Sequence, residues 1–164
     1  MTTHELHPSA QRVADVAKQL GISIDIITFA ESTRTAEEAA AAIGCAVGQI
    51  VKSLVFTVKR EPVIALVSGS NQLDTRKLAE LFNVGRKQVE RANAETVRAA
   101  TGFAIGGVPP FGHPSSPAMF IDEDLTRYEV VWAAGGTPNT VFSIRPDELT
   151  RATSGRVVNL KVDH

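Results

Sequence analysis

The sequence predicts one α+β domain built on a mixed, strongly twisted sheet that is partly closed on itself, with helices packed outside. About four helical patterns lie early and in the middle of the chain, and about seven β-rich runs lie in the centre and at the end. Because these patterns do not alternate strictly, they argue against a doubly wound parallel sheet. A chain of 164 residues with no long linker fits a single domain over residues 1–164.

The helical patterns start at residues that favour caps, and most stop at glycine. Ser9 is predicted to cap the first helix, which Gly21 ends. Thr35 and Glu38 form a predicted capping box for an alanine-rich helix that Gly44 ends. The remaining helices are predicted after Asp74 over 75–82, after Asn93 over 94–100, and from Pro146 onward.

The β-rich runs carry β-branched and alternating apolar residues. Residues 50–58 and 63–68, joined by a turn at 59–62, predict a hairpin at the centre of the sheet. The other strands are predicted at 22–26, 118–121, 128–133, 140–144 and 156–160.

The composition excludes several classes of protein. The 17 Lys and Arg residues balance 18 Asp and Glu, so any contact with nucleic acid should be local, at a pocket. The single Cys45 rules out an internal disulfide framework, and no Cys/His pairs have zinc-ligand spacing, which favours a reducing compartment without a structural metal. The longest apolar run, 39–48, is shorter than the roughly 18 residues that span a bilayer, and residues 1–20 do not resemble a signal peptide. We therefore expect a cytoplasmic protein.

Lys52 interrupts an apolar row of the predicted strand 50–58. Because side chains alternate along a strand, Lys52 shares a face with Ile50, Leu54, Phe56 and Val58. In one interpretation its long stem carries the charge out to water. In the other, the ammonium lies at the mouth of a pocket, where it receives a phosphate or carbonyl oxygen.

The segment 102–117 contains four Gly and four Pro and fits no regular element. Loops longer than about 12–15 residues are uncommon in compact domains and are usually functional or disordered. Apolar anchors and stiff prolines favour a shaped wall, and the pair Gly106-Gly107 would let backbone amides approach a carbonyl or oxyanion. A purely structural loop is the alternative.

Other candidates carry weaker signals. The pair Gly135-Gly136 by itself indicates a turn between two strands. Cys45 is predicted to be a small buried thiol and His113 a solvated loop histidine, in preference to a nucleophile and a general acid or base. The glycines match neither a P-loop nor a dinucleotide-binding motif, so nucleotide hydrolysis and dinucleotide binding have no support.

Three segments, in their order and spacing, resemble a known family: QIVKSLVF at 49–56, TGFAIGGVPPFG at 101–112 and AAGG at 133–136. They are similar to the YbaK/ProX-type aminoacyl-tRNA deacylases, which are free-standing relatives of the editing domain inserted in bacterial prolyl-tRNA synthetase. Segments 35–40 and 69–78 are similar as well, and the likeness covers residues 29–160.

The resemblance implies hydrolysis of the ester between a wrong amino acid and the terminal adenosine of a tRNA, often tRNA(Pro). It implies Lys52, Gly106 and Gly107 as catalytic residues, the lysine positioning the substrate and the glycines supplying amides near the scissile carbonyl. The implied substrate-binding residues are Ser53, Val108, Pro109, Pro110, Phe111, Gly135 and Gly136. The implied partners are an aminoacyl-tRNA 3′ end and prolyl-tRNA synthetase, with no cofactor, no membrane and no DNA. The implied fold is a distorted barrel of mixed strands.

An aminoacyl ester is already activated, so the site does not need a Ser-His-Asp set. Water, the ribose hydroxyl and a substrate thiol remain open as nucleophiles. Ser53 after Lys52 departs from the Asn of alanine-specific members, and residues 141–143 offer no histidine, which favours cysteine or another small amino acid on tRNA(Pro). The alternative function is a non-catalytic module that binds a tRNA 3′ end or a nucleotide-like ligand.

Overall fold

The computed structural model describes residues 6–31, 33 and 35–163. Residues 1–5, part of the stretch compared with a signal peptide, lie outside that range. The five α-helices among the described residues are α1 (Pro8–Gln19), α2 (Ala36–Ile43), α3 (Thr75–Leu81), α4 (Ala94–Thr101) and α5 (Pro146–Thr153). The eight strands are β1 (Ile27–Thr28), β2 (Val51–Val58), β3 (Glu61–Ser68), β4 (Val89–Arg91), β5 (Ala118–Asp122), β6 (Val131–Ala134), β7 (Thr140–Ile144) and β8 (Arg156–Val158). Short 3₁₀ turns cover Val47–Gln49, Arg86–Gln88 and Glu123–Arg127. In this part of the chain no helix is long and apolar enough to cross a membrane.

The strands form two sheets, of five and three strands. The larger has the order β4-β2-β3-β5-β8, with antiparallel pairs on the β2 side and parallel pairs from β3 to β8. The smaller, β1-β7-β6, is antiparallel throughout. The predicted mixed α+β fold is confirmed. The predicted closure into a barrel is wrong, because closure needs a continuous ladder of hydrogen bonds, and an isolated bridge between Ile50 and Trp132 joins the sheets instead.

The hairpin of β2 and β3 lies near the centre of the larger sheet, as the sequence predicts. Its turn is tighter than the four predicted residues: Lys59 and Arg60, with φ values of 48° and 70°, make a two-residue connection. Residues of β2 with odd numbers, such as Val55, pack into one core cluster, and those with even numbers, such as Phe56, pack into a second. The strand is therefore apolar on both faces, which makes Lys52 conspicuous.

Most predicted caps are confirmed. The side chains of Thr35, Asp74 and Asn93 accept hydrogen bonds from backbone amides within their own first turns, at 3.0, 2.9 and 2.8 Å. The predicted cap at Ser9 is wrong: the imidazole of His7 accepts from the Ser9 amide at 3.1 Å, and Pro8 occupies the first helical position, which suits a residue without an N–H.

The strand predicted at 22–26 is also wrong. Ile22 is buried and Ile24 and Ile26 pack against the same core, which produces the alternating pattern. The backbone of this stretch pairs with no strand in the described part of the chain, and pairing with β7 begins only at Ile27. Two further strands are shorter than predicted, since β6 starts at Val131 and β8 ends at Val158.

Candidate active site

A cavity of about 400 Å³ opens where the two sheets meet. Its walls come from the start of α2, the first residues of β2, the loop before β5, and strands β6 and β7. Its lining residues are Thr33, Thr35, Ala36, Glu37, Ala39, Ile50, Val51, Lys52, Ser53, Leu54, Gly69, Arg91, Ile105, Gly106, Trp132, Ala133, Ala134, Pro138, Thr140 and Val141. Among the described lining residues the surface is of mixed polar and apolar character, with two cationic side chains and one carboxylate.

Lys52 is half-buried in this wall, and its ammonium donates a hydrogen bond to the backbone carbonyl of Asn71. Burial lowers the pKa of Lys52, the carboxylates of Glu37 and Asp122 partly offset that effect, and the charge of Arg91 adds to it. The stem does not simply carry the charge to open water. The ammonium is held at the cavity edge, where a desolvated cation attracts an anionic or carbonyl oxygen strongly.

A buried network holds the Asn71 segment that receives Lys52. The amide nitrogen of the Asn71 side chain donates to Asp122 Oδ2 at 2.8 Å and to Asp124 Oδ2 at 2.9 Å. Asp122 is fully buried and also accepts from the backbone amides of Ser68 at 3.1 Å and Asp124 at 3.0 Å. Lys161 Nζ lies 3.0 Å from Asp124 Oδ2. A buried carboxylate that accepts three hydrogen bonds is well satisfied and rigid.

Hydrogen bonds from Asn71 and Lys161 lower the pKa of Asp124. The motifs in the sequence point to neither Asp122 nor Asp124. A signal was available, because Asp122 directly follows the apolar residues of β5, and an acid at the end of a buried strand requires partners.

Ser53 points to the opposite face of β2 from Lys52 and also lines the cavity. Its hydroxyl oxygen is buried and makes no hydrogen bond with the described residues. Behind it lies a recess of about 20 Å³, lined by Ser53, Val55, Arg91, Ala92, Val97, Ile105 and Val108. This volume accommodates a group about the size of one water molecule.

The two glycines of the 102–117 loop have different environments. Gly106 lines the cavity with a φ of 88°, and a Cβ on it would meet no atom of the described residues within 4 Å. Gly107 is buried, and its amide donates to the Ala104 carbonyl at 2.9 Å. The expectation that both amides face a ligand therefore fails for Gly107, whose N–H is already engaged in a turn. A Cβ on Gly107 would lie 2.7 Å from the carbonyl carbon of Thr137, so glycine is needed for close contact.

Residues 108–111 of the loop belong to the core and do not line the cavity. Val108 and Phe111 are 3% and 4% exposed, the intervening Pro109 and Pro110 are buried, and the Phe111 ring lies 5.6 Å from that of Phe142. Within this group Val108 alone reaches the recess behind Ser53. The wall expected from 108–111 is therefore replaced at the cavity by the exposed Ile105, because the prolines and the phenylalanine serve as the loop's anchor.

His113 is part of the same anchor and is not the solvated histidine that the sequence predicts. Its Nε2 atom lies 2.8 Å from the Pro109 carbonyl oxygen, and its ring faces the edge of Phe103 with centroids 6.3 Å apart. Burial lowers the pKa of His113.

The pair Gly135-Gly136 connects β6 to β7 and packs behind the cavity wall. The Gly135 amide donates to the Thr140 carbonyl at 2.8 Å. Gly136 has a φ of 110°, and a Cβ on it would lie 2.6 Å from the Ser9 carbonyl oxygen. The adjoining residues Ala134 and Pro138 line the cavity in place of the glycines.

Cys45 is half-buried after α2 and lies outside the cavity lining. Burial raises the pKa of the Cys45 thiol, which opposes formation of a nucleophilic thiolate. Across the described residues, no group of three or more His, Cys, Asp and Glu side chains could hold a metal ion.

Lys52, Ser53 and Gly106 thus meet at one cavity, with Gly107, Gly135 and Gly136 directly behind its wall. Residues 30–152, which contain all of them, match the family described as the aminoacyl-tRNA editing domain. The chain belongs to this family.

Individual members of the family and their structures agree with this assignment. A crystal structure provisionally described as a trans-editing enzyme for prolyl-tRNA synthetase is 46% identical, with a TM-score of 0.91, and the match covers 97% of this chain and 100% of that one. EbsC of Enterococcus faecalis, provisionally named a Cys-tRNA(Pro)/Cys-tRNA(Cys) deacylase, is 29% identical over 133 residues, or 80% of each chain. The proline–tRNA ligase of Maridesulfovibrio salexigens is 39% identical over 101 residues, which are 62% of this chain but 17% of the ligase. The resemblance noted in the sequence is confirmed.

Proposed function

We propose that this editing-domain protein is a free-standing deacylase that hydrolyses the ester of a small amino acid, cysteine first among them, mischarged on tRNA(Pro). The observation that carries the proposal is the half-buried ammonium of Lys52 at the edge of a cavity of mixed polar and apolar character. The names of the deacylase and trans-editing relatives support it. Prolyl-tRNA synthetase, whose product needs correction, is the proposed partner.

Catalysis in this proposal consists mainly of positioning and electrostatic stabilisation. Lys52 binds an oxygen of the terminal nucleotide or of the aminoacyl group. The amide of Gly106, on the cavity wall, donates to the oxygen that becomes negative when the ester carbonyl is attacked. Gly107 acts indirectly, because its close packing on Thr137 sets the position of Gly106. An activated ester held this way needs only a well-placed nucleophile.

The size of the acyl group is set around Ser53. Its unpartnered hydroxyl and the recess of about 20 Å³ behind it accommodate a short side chain with a small polar tip. Each additional methylene changes the binding free energy in such a site by only about 1–3 kcal/mol. We therefore expect graded preferences among small amino acids, with cysteine and serine favoured by the hydroxyl.

A panel of charged tRNAs tests the function. Purified protein is incubated with Cys-, Ala-, Ser- and Thr-tRNA(Pro), and release of the amino acid is followed over time. Lys52→Ala should lower the rate by about 100-fold or more, because an electrostatic contact made in the transition state is lost. Lys18→Ala, at an exposed position on α1, is the matched control and should leave the rate unchanged.

Two results would contradict the proposal. Wild-type protein that binds these tRNAs but releases no amino acid would indicate the non-catalytic binding module. Unchanged turnover in a folded Lys52→Ala variant would remove Lys52 from the mechanism.

A further inference from the structure

A second groove, of about 590 Å³, adjoins the cavity. The two share Lys52, Leu54 and Arg91, so a ligand bound in one can continue into the other. The groove is lined by the cationic side chains of Lys52, Arg86, Lys87 and Arg91, and by apolar residues that include Leu54 and Phe56.

The groove concentrates positive charge on a protein with a net charge of −1. Four of its ten lining residues are Lys or Arg, and none of those described is acidic. Arg86, Lys87 and Arg91 are exposed, and none of the three takes part in the ion pairs found between described residues. Cations that are not neutralised by neighbouring carboxylates attract an anionic ligand.

The described residues give the groove no aromatic platform. Phe56, its one aromatic lining residue, is only 5% exposed. Proteins that hold single strands through their bases present aromatic rings for stacking. This groove instead offers side chains to the sugar-phosphate backbone, which is the same for every base sequence. Arg86 is already oriented, since its Nε donates to Thr75 Oγ1 at 3.2 Å.

We propose that the groove marked by Arg86, Lys87 and Arg91 binds the phosphodiester backbone of the unpaired nucleotides that precede the terminal adenosine of the tRNA. The inference rests on the proposed function, because the aminoacyl end must occupy the adjoining cavity. Lys52 lies where the two sites join, between the cavity for the reacting ester and the groove for the RNA backbone. A few local phosphate contacts also agree with the balanced overall charge.

Binding of an uncharged RNA hairpin tests the groove without any catalysis. One hairpin carries the tRNA acceptor stem with a four-nucleotide ACCA overhang, and a second ends blunt. Fluorescence anisotropy gives the Kd of each at several salt concentrations. The double variant Arg86→Gln/Lys87→Gln is compared with Arg151→Gln/Arg156→Gln, which removes two exposed charges from α5 and β8, toward the opposite edge of the larger sheet.

For the overhang hairpin we expect the groove variant to raise Kd about tenfold or more, and the control pair to leave it unchanged. The slope of log Kd against log salt should fall by about 1.4, since each lost contact to a single strand removes about 0.7. The blunt hairpin should bind the wild type and the groove variant equally.

A groove variant that binds the overhang hairpin as tightly as the wild type would overturn the proposal, and so would an equal loss for the blunt hairpin. The charged-tRNA panel reports on the function separately. If the wild type releases amino acids but the groove variant binds the overhang hairpin normally, only the groove proposal is refuted. If the groove variant binds that hairpin more weakly but the wild type releases no amino acid, only the proposed enzymatic function is refuted.

Discussion

Asp122 is connected to Lys52 through Asn71, whose side chain bonds Asp122 and whose carbonyl accepts from Lys52. Replacing Asp122 with asparagine tests whether this buried network positions Lys52. The carboxylate accepts from Ser68 N and the Asn71 side chain at Oδ2, and from Asp124 N at Oδ1. Asparagine has nearly the same shape but only one acceptor oxygen. However its amide is turned, the NH₂ group faces at least one of these N–H donors.

The cost can be estimated bond by bond. In the better orientation the amide oxygen keeps Ser68 and Asn71, and the Asp124 amide loses its acceptor, which costs about 1–3 kcal/mol for a buried group. The two remaining bonds weaken because hydrogen bonds to an ionised acceptor are roughly twice as strong as neutral ones. We expect the free energy of unfolding to fall by about 2–4 kcal/mol, which at this chain length lowers Tm by about 5–15 °C.

The same change should reduce activity beyond the loss of stability. The Asn71 segment loses part of its anchor, so the carbonyl that holds Lys52 can shift, and a displacement of about 1 Å at a reacting group can cost about 100-fold in rate. The loss of the Asp122 charge also lowers the pKa of Lys52, because that charge now raises it. We expect kcat/KM for the mischarged tRNA to fall by about 10- to 100-fold.

Urea unfolding followed by circular dichroism measures the stability, and deacylation is assayed at a temperature where the variant remains folded. Asp147→Asn is the matched control, since this carboxylate is 67% exposed and its surface ion pair with Arg145 contributes less than about 1 kcal/mol. A change in unfolding free energy within about 0.5 kcal/mol would refute the bond-by-bond estimate. A destabilised variant with unchanged kcat/KM would refute the link from Asp122 to Lys52.

Three other predictions concern the loop, the lysine and the histidine. Gly107→Ala should destabilise the fold by about 1–3 kcal/mol because its Cβ meets the Thr137 backbone at 2.7 Å. In Gly106→Ala the new Cβ meets no described atom within 4 Å, so the free energy of unfolding should fall only by the backbone strain of about 1–2 kcal/mol. Calorimetry that finds Gly106→Ala less stable than Gly107→Ala would contradict the argument from close packing at Gly107. An NMR titration of the Lys52 side chain should give a pKa below the ordinary lysine value. The Glu37→Gln variant should lower the pKa of Lys52 further, because the charge of Glu37 raises that pKa. A midpoint at or above the ordinary value would be inconsistent with burial of Lys52. Because burial lowers the pKa of His113, the unfolded chain binds this proton at higher pH than the folded chain does. Stability should therefore fall as pH drops through about 6.5 toward the lowered value, and His113→Gln should flatten that dependence in urea titrations; an equal slope in the variant would exclude this histidine as the cause.

Features governed by neighbouring residues were predictable from the sequence. The caps at Thr35, Asp74 and Asn93 depend on a side chain and an amide within one turn, and all three are confirmed. The β2–β3 hairpin depends on two adjacent apolar runs. By contrast, residues 22–26 show strand alternation but pair with no strand among the described residues. Periodicity reports which side chains face a core and does not report backbone pairing.

For the site, the sequence marked out Lys52 because a charge in an apolar row is visible without a structure. The sequence also singled out the Gly/Pro loop, but not which of its residues line the cavity and which pack in the core. Whether an amide faces a ligand or closes a turn depends on its hydrogen-bond partner, and for Gly107 that partner is Ala104. From the sequence, Phe111 could equally line the cavity wall or belong to the core, and its contact with Phe142 in the structure places it in the core.

The sequence by itself determined the family, the mixed α+β class and the unusual position of Lys52, because local patterning and motif spacing carry that information. Only the tertiary structure decided that two sheets meet without closing, that Asp122 and Asn71 stand behind Lys52, and that Arg86 and Lys87 lie in a groove that continues from the cavity. These are contacts between residues far apart in the chain. They depend on how the strands and loops pack against one another, and no local pattern encodes that arrangement.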